Sequence, residues 1–240
     1  MAEETKLYLK NVAELIKSIV KSFDEAKGIT KLKSVLKGLG FENKGDILFN
    51  IKHGYYKKNL EGKNEWTDNK FKPLGGGVYI FEIDFSKSQS KTKSDFKNMW
   101  DERASETYEK INKKGKKNEV KNAIPQYNEE SSENYLYVGS HRTDINSRLK
   151  QHFGNNINST SALKLTGEDI KNEIGNYNIT CHRFTLKDDF PEYARGGYIA
   201  MIEGILHEKL KPILGKKWGC FIGWFIVHLM DGPSHILLDF

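Results

Sequence analysis

Between residues 6 and 23 the apolar positions Leu9, Val12, Ile16, Ile19, Val20 and Phe23 recur every three or four residues, the spacing of one face of an amphipathic helix. Gly28 interrupts the pattern, and Leu32, Val35 and Leu36 predict a second helix ending near Gly38 or Gly40. Residues 41–74 mix basic and aromatic positions with no clear period. At Gly75 the character changes: three glycines lead into GVYIFEIDF (77–85), whose β-branched and aromatic residues predict a strand. A polar stretch from Ser86 to Glu133 follows. Within it Phe96, Trp100, Ala104, Tyr108 and Ile111 lie three or four apart and predict a helix, and KINKKGKKNEVK (110–121) reads as a flexible basic tract. NYLYVGS (134–140) predicts a second strand, residues 144–153 a helix stopped by Gly154, ITCHRFTL (179–186) a third strand, and residues 192–210 a long helix ended by Pro212. The order from Gly77 describes a small domain on a short sheet, with no internal repeat.

The chain has 240 residues, enough for one core domain or a core with a small appendage, and its 38% hydrophobic and 29% charged content is that of a globular protein. Its net charge is +6. Residues 26–72 hold eleven lysines against five acids, an excess equal to that of the whole chain. A local excess of this kind suits a polyanionic partner, and a solvated lysine-rich surface accounts for it equally well. Interleaved with Tyr55, Tyr56, Trp66 and Phe71, lysines such as Lys57 and Lys58 suit phosphate contact plus stacking; Lys113, Lys114, Lys116 and Lys117 in the basic tract are further candidates to order on nucleic acid.

Cys181 and Cys220 form no CxxC and no metal-finger spacing, so a disulfide scaffold is not expected and a reducing, cytoplasmic setting fits. The start Met-Ala-Glu-Glu-Thr lacks the pattern of a signal peptide. The oily stretch WGCFIGWFIVHLM (218–230) is too short to span a bilayer, and residues 218–240 are expected to pack on the core.

Three sets of residues carry candidate chemistry. Glu203, on a helix with Ile199, Ala200, Leu206 and His207 three and four away, is a carboxylate on a mostly apolar face, which is expensive to bury unless it is paired or holds a cation. Mg²⁺ is often held by one or two carboxylates plus water and phosphate; a boundary glutamate paired with lysine is the ordinary alternative. Arg148 and His152 stand four apart on one helical face. Arginine offers a donor fork suited to phosphate, and histidine can position water or relay a proton, although an isolated pair of this kind is usually a plain polar face. Tyr79 and Tyr137 lie in strands beside glycines, where core packing is the commoner role; for either to act as a base, a nearby cation must favour the phenolate.

Taken in order, G-V-Y (77–79), Y-V-G (137–139), Arg148 with His152, and Glu203 in a helix leading to Pro212 resemble the GIY-YIG nuclease superfamily over roughly Gly75 to Gly215. The resemblance implies an α+β fold, a small mixed or antiparallel three-stranded sheet flanked by helices (75–217, with an insertion at 86–133), preceded by a helical, basic extension (1–74). It implies an endonuclease in which Tyr79 orients or deprotonates the attacking water, helped by Tyr137 or His152, Arg148 holds the scissile phosphate, and Glu203 binds Mg²⁺ or Mn²⁺. The in-domain insertion is similar to that of the restriction-enzyme branch, which implies double-stranded DNA as partner and a possible homodimer. The sequence departs from the family pattern in three places: the insertion separates two strands that a short hairpin usually joins, Gly215 and no asparagine follows Pro212, and Ser140 and His141 follow the second half-motif. A nucleic-acid-binding module that has lost cutting, a structure-specific repair nuclease, and a protein with chance motifs are the competing readings.

Overall fold

Helix α1 (Ala2–Asp24) turns Ala13, Ile16, Ile19 and Phe23 inward, and α2 (Gly28–Gly38) buries Leu32 and Leu36. Both follow the apolar spacing seen in the sequence, because burying that stripe against a sheet is what holds a short helix in place. The computed structural model describes residues 2–50, 54–58, 64–66, 72–85, 92–111, 115–121, 123–132, 134–153, 162–165 and 178–215. The oily segment 218–240 and Lys113 and Lys114 therefore lie outside the described residues, as do the side chains of Lys57 and Lys58.

The fold is α+β, five helices packed on an antiparallel sheet among the described residues. Four strands form the body of the sheet: β1 (Phe41–Asn50), β8 (Asn178–Leu186), β4 (Gly77–Ile83) and β7 (Tyr135–His141), side by side in that order. The short strands β2 (Gly54–Lys58) and β3 (Asn64–Trp66) extend it beyond β1. The sheet is thus wider than the three strands expected, and wholly antiparallel. Its extra strand β1 comes from the segment with no clear hydrophobic period. β1 is hard to read because Asn43 to Asp46 form a register shift against β8, with Gly45 at φ 81, which breaks the alternation of faces. Within the N-terminal segment, β1, β2 and β3 thus belong to the sheet and α1 and α2 to its covering layer.

Helices cover both faces. Val78, Ile80, Val138, Phe184 and Leu186 meet α1, α2 and α5 (Glu192–Leu210); Tyr79, Phe81, Ile83, Ile179 and Cys181 meet α3 (Lys93–Ser105) and α4 (Ile145–Phe153). A strand buried on two faces reads as a continuous apolar run, which is why GVYIF shows no alternation. Gly77 and Gly139 permit this packing. A Cβ at Gly77 would fall 1.9 Å from the Phe184 carbonyl oxygen, and one at Gly139 would fall 2.4 Å from the Tyr79 hydroxyl.

Part of the insertion between β4 and β7 forms regular elements. A capping box between Thr92 and Asp95 starts α3, and Phe96 and Trp100 anchor it, the Trp100 indole donating to the Pro125 carbonyl at 2.7 Å. Of the expected basic tract, residues 110–111 and 117–121 fall in paired strands. β5 (Thr107–Ile111) pairs with β6 (Lys117–Lys121), so Tyr108 and Ile111 leave the helical register. The insertion then returns to the outer edge of β7. There Ile213 and Leu214 donate to the carbonyls of Tyr135 and Leu136 at 2.8 and 2.9 Å, while Asn128 donates to the Ile213 carbonyl, so the edge strand is covered.

A charge cluster around the buried His182 ties the N-terminal segment to the sheet. His182 on β8 bonds Asp46 on β1 through Nδ1 and Glu82 on β4 through Nε2, each at 2.8 Å, and Lys33 on α2 pairs with Asp46 at 2.8 Å. Both acceptors are carboxylates, so both ring nitrogens donate and the ring is an imidazolium. Burial alone pushes the His182 pKa down, but the two carboxylates outweigh it and the net shift is upward. Burial likewise pushes Asp46 up, and bonds from His182 and Lys33 hold it at about 2. A histidine raised in the folded state stabilises the fold fully below its unfolded value, and that stability is lost as pH rises through the folded value. Urea unfolding followed from pH 6 to 9 is expected to show wild type losing roughly 1.5–3 kcal/mol that His182→Gln does not lose over the same range, the worth of a hydrogen bond to a charged group. Parallel curves for the two proteins would contradict the assignment.

Candidate active site

The site is built at the β7 end of the sheet, where four elements each contribute a side chain. Tyr79 comes from β4 and Tyr137 from β7; Arg148 and His152 come from α4 and Glu203 from α5. Tyr79 stands opposite Gly139 in the strand register, and the absent Cβ lets its ring cross β7 towards α4. The Tyr79 hydroxyl and His152 Nε2 are 2.8 Å apart, both side chains being fully buried. His152 packs among Tyr79, Phe81 and Tyr137, with centroid distances of 5.4, 5.6 and 4.9 Å.

The tautomer of His152 follows from its second nitrogen. The backbone N–H of Leu163 donates to Nδ1 at 3.0 Å, so Nδ1 carries a lone pair. Burial and the nearby Arg148 push the His152 pKa well below its usual value, so the ring is neutral and its one proton is on Nε2. Nε2–H therefore donates to the Tyr79 oxygen, and the phenol's own proton points elsewhere. Segment 162–165 is itself held from the insertion: Arg103 of α3, 4% exposed, donates to the carbonyls of Leu163 and Lys164 at 2.9 and 2.8 Å. Lys164 adopts a left-handed backbone there, φ 50.

The five side chains share one electrostatic neighbourhood. Burial raises Tyr79 well above the ordinary phenol value; Tyr137 and Glu203 add to the rise and Arg148 opposes it. Tyr137 is also raised by burial, against the pull of the nearby Arg148. Arg148 bonds Gln151 one turn along α4. Glu203 is half-buried and raised by burial; the Ser140 hydroxyl donates to its Oε2 at 2.7 Å, and this bond and Arg148 hold the rise back. One turn on, His207 Nε2–H donates to the Val138 carbonyl at 3.0 Å, and burial lowers its pKa to about 4.

Glu203 is the carboxylate of this cluster, and no group of three or more His, Cys, Asp or Glu gathers as a metal cage among the described residues. The donor set fits a hard divalent cation held by one carboxylate with water and phosphate oxygens completing its shell, the manner in which Mg²⁺ is commonly bound. Its oxygen chemistry suits Mg²⁺ or Mn²⁺ and not a soft metal.

Tyr79, Tyr137, Arg148, His152 and Glu203, singled out from the sequence, come together. Of the candidate lysines, Lys117 lies on β6 of the separate two-stranded sheet and Lys116 just before it; both are exposed, and Lys117 pairs with Glu109 at 2.8 Å. His141 accepts from the Asp144 backbone N–H at 2.9 Å and so shapes the turn into α4. Two residues escaped the sequence reading. Arg103 lies three residues after Trp100, on the buried stripe of α3, and an arginine at an apolar position was the available signal. The role of Leu163 is carried by its backbone and leaves no mark in residue type. No described helix is long and apolar enough to cross a membrane. Comparison with known proteins finds no matching family model, no matching curated protein and no matching solved structure.

Arg103→Met keeps the helix but leaves two buried carbonyls without their donor, at roughly 1–3 kcal/mol each. The expected result is a lower melting temperature, together with a change in the ¹⁵N shifts of His152 away from the pattern of a single Nε2–H tautomer. An unchanged His152 spectrum in a destabilised protein would show that Arg103 supports the fold without setting the histidine.

Proposed function

We propose that this chain is a metal-dependent endonuclease of the GIY-YIG type that hydrolyses phosphodiester bonds in double-stranded DNA, in a restriction or mobile-element role. The observation that carries the reading is the convergence of Tyr79, Tyr137, Arg148, His152 and Glu203, from four separate elements, around a neutral histidine of defined tautomer. Two tyrosines, an arginine and one carboxylate suit phosphoryl chemistry, in which positioning and charge stabilisation do most of the work.

In this reading Arg148 binds the scissile phosphate and offsets the charge that develops on it. Tyr79 orients the attacking water through its hydroxyl, whose oxygen is held by His152 Nε2–H. For Tyr79 to deprotonate that water, its own proton must first pass to solvent; the same bond, with Arg148 nearby, would then stabilise the phenolate. Tyr137, beside Arg148, helps direct the guanidinium. Glu203, aimed by Ser140, would hold Mg²⁺ or Mn²⁺, which when bound supplies Lewis-acid stabilisation of the phosphate and leaving oxygen. The lysines at 57, 58, 113, 114, 116 and 117 would contact the DNA backbone outside the cutting site, and a homodimer would present two such sites to a duplex.

The full burial of Tyr79 favours a second reading, a nucleic-acid-binding module that does not cut. Cleavage of mixed plasmid and phage DNA with Mg²⁺ or Mn²⁺ separates the two. Wild type is expected to give discrete fragments, with Glu203→Ala slower by at least about 10²-fold, the scale of one lost electrostatic contact, and Tyr79→Phe slower by a comparable factor. Binding of DNA without cutting by wild type would favour the binding module; neither binding nor cutting would remove both.

A further inference from the structure

Three contacts step along β7 and α5 in opposite directions. The Val138 carbonyl meets His207, Ser140 meets Glu203, and the Arg142 side chain meets Gly196. Gly196 and Glu203 are seven residues apart on one helix, so they share a face at a separation of about 10 Å. Arg142 is therefore the next rung beyond the carboxylate on the same side of the sheet edge.

Its position is set before any partner arrives. A Cβ at Gly76 would lie 1.9 Å from the Arg142 carbonyl oxygen, so the backbone just before strand β4 is packed directly against this loop. A Cβ at Gly196 would lie 3.3 Å from Cδ and Nε of Arg142, so the stem of the side chain rests on the helix. Arg142 is nevertheless exposed, and its guanidinium has no hydrogen-bond or ion-pair partner among the described residues. By contrast Arg195, on the same turn of α5, donates to the carbonyls of Leu186, Lys187, Asp188 and Phe190. Of these two arginines one is used to hold a loop, and the other is held and left facing solvent.

We propose that Arg142 binds a phosphate adjoining the scissile one on the same DNA strand, so that the strand runs along α5 from Glu203 towards Gly196. The proposal rests on the nuclease reading above. A guanidinium offers a planar fork of donors that fits phosphate oxygens in pairs, and a fixed stem lowers the ordering entropy of using it. Arg142 makes a positioning contact to the backbone and reads no base.

The test uses the full chain carrying Glu203→Gln, so that binding is measured without cutting, and a linear duplex DNA fragment as probe, by fluorescence anisotropy from low to moderate salt. Adding Arg142→Ala is expected to weaken binding to the same degree on unrelated sequences and to reduce the slope of log affinity against log salt by about one, the signature of one lost phosphate contact. Arg142→Lys is expected to keep the slope. In the chain with Glu203 intact, Arg142→Ala is expected to raise KM more than it lowers kcat. An unchanged slope and affinity in Arg142→Ala would overturn the proposal, and the nuclease reading would stand if Glu203→Ala still abolished cutting. A fall in kcat with unchanged affinity would also overturn it, assigning Arg142 to the chemical step. Failure of the Glu203-intact chain to cut, with normal duplex binding and a reduced slope in Arg142→Ala, would remove the nuclease reading while leaving Arg142 as a phosphate contact.

Discussion

The hydrogen bond from the Leu163 backbone to His152 Nδ1 is the constraint on which the chemistry of the site depends. A buried imidazole can present either a donor or an acceptor at Nε2, and the two choices give opposite roles to the tyrosine it touches. Because Nδ1 accepts, Nε2 donates, and Tyr79 receives a hydrogen bond on the oxygen that would carry charge. Burial disfavours charge on that phenol, so it needs such a donor more than an exposed tyrosine would. The same burial that keeps His152 neutral and Tyr79 protonated also strengthens each bond between them.

That constraint reaches outward through the insertion. Arg103 on α3 fixes the carbonyls of Leu163 and Lys164, and α3 is in turn anchored by Trp100 against Pro125. Along the outer edge of β7 the turn after α5 is pinned between the edge strand and residues 126–132, which fixes the end of the helix that carries Glu203 and His207. The insertion that splits the two half-motifs thus buttresses the site at two places. Loop-closure entropy grows slowly with length, so a long excursion between paired strands is tolerable when its own residues pack on return.

The sequence made the elements next to the site legible because they are strongly periodic or bounded by glycine and proline. The helices at 144–153 and 192–210 and the strands at 77–85, 134–140 and 179–186 fall where the pattern put them. β1 was not legible, because its bulge at Asn43–Asp46 interrupts the alternation that identifies a half-buried strand. The tract at 110–121 looked unstructured because its residues are nearly all polar, and β6 within it, whose described residues are mostly exposed, shows no apolar face to be recognised by. At the site, residue type revealed the tyrosines, the arginine, the histidine and the glutamate. It could not reveal the Leu163 N–H, since a backbone donor is common to almost every residue. Nor could it reveal the depth of Tyr79, which depends on helices packing over both faces of β4.

If Tyr79 and His152 act as one unit, their contributions to catalysis cannot be independent. The direct measurement is a double-mutant cycle, with kcat/KM for DNA cleavage determined for wild type, Tyr79→Phe, His152→Ala and the pair. The account predicts that the double variant is no slower than the slower single variant, because either change already breaks the same interaction. Losses that multiply in the double variant would contradict it, and would mean that the two residues serve the reaction separately.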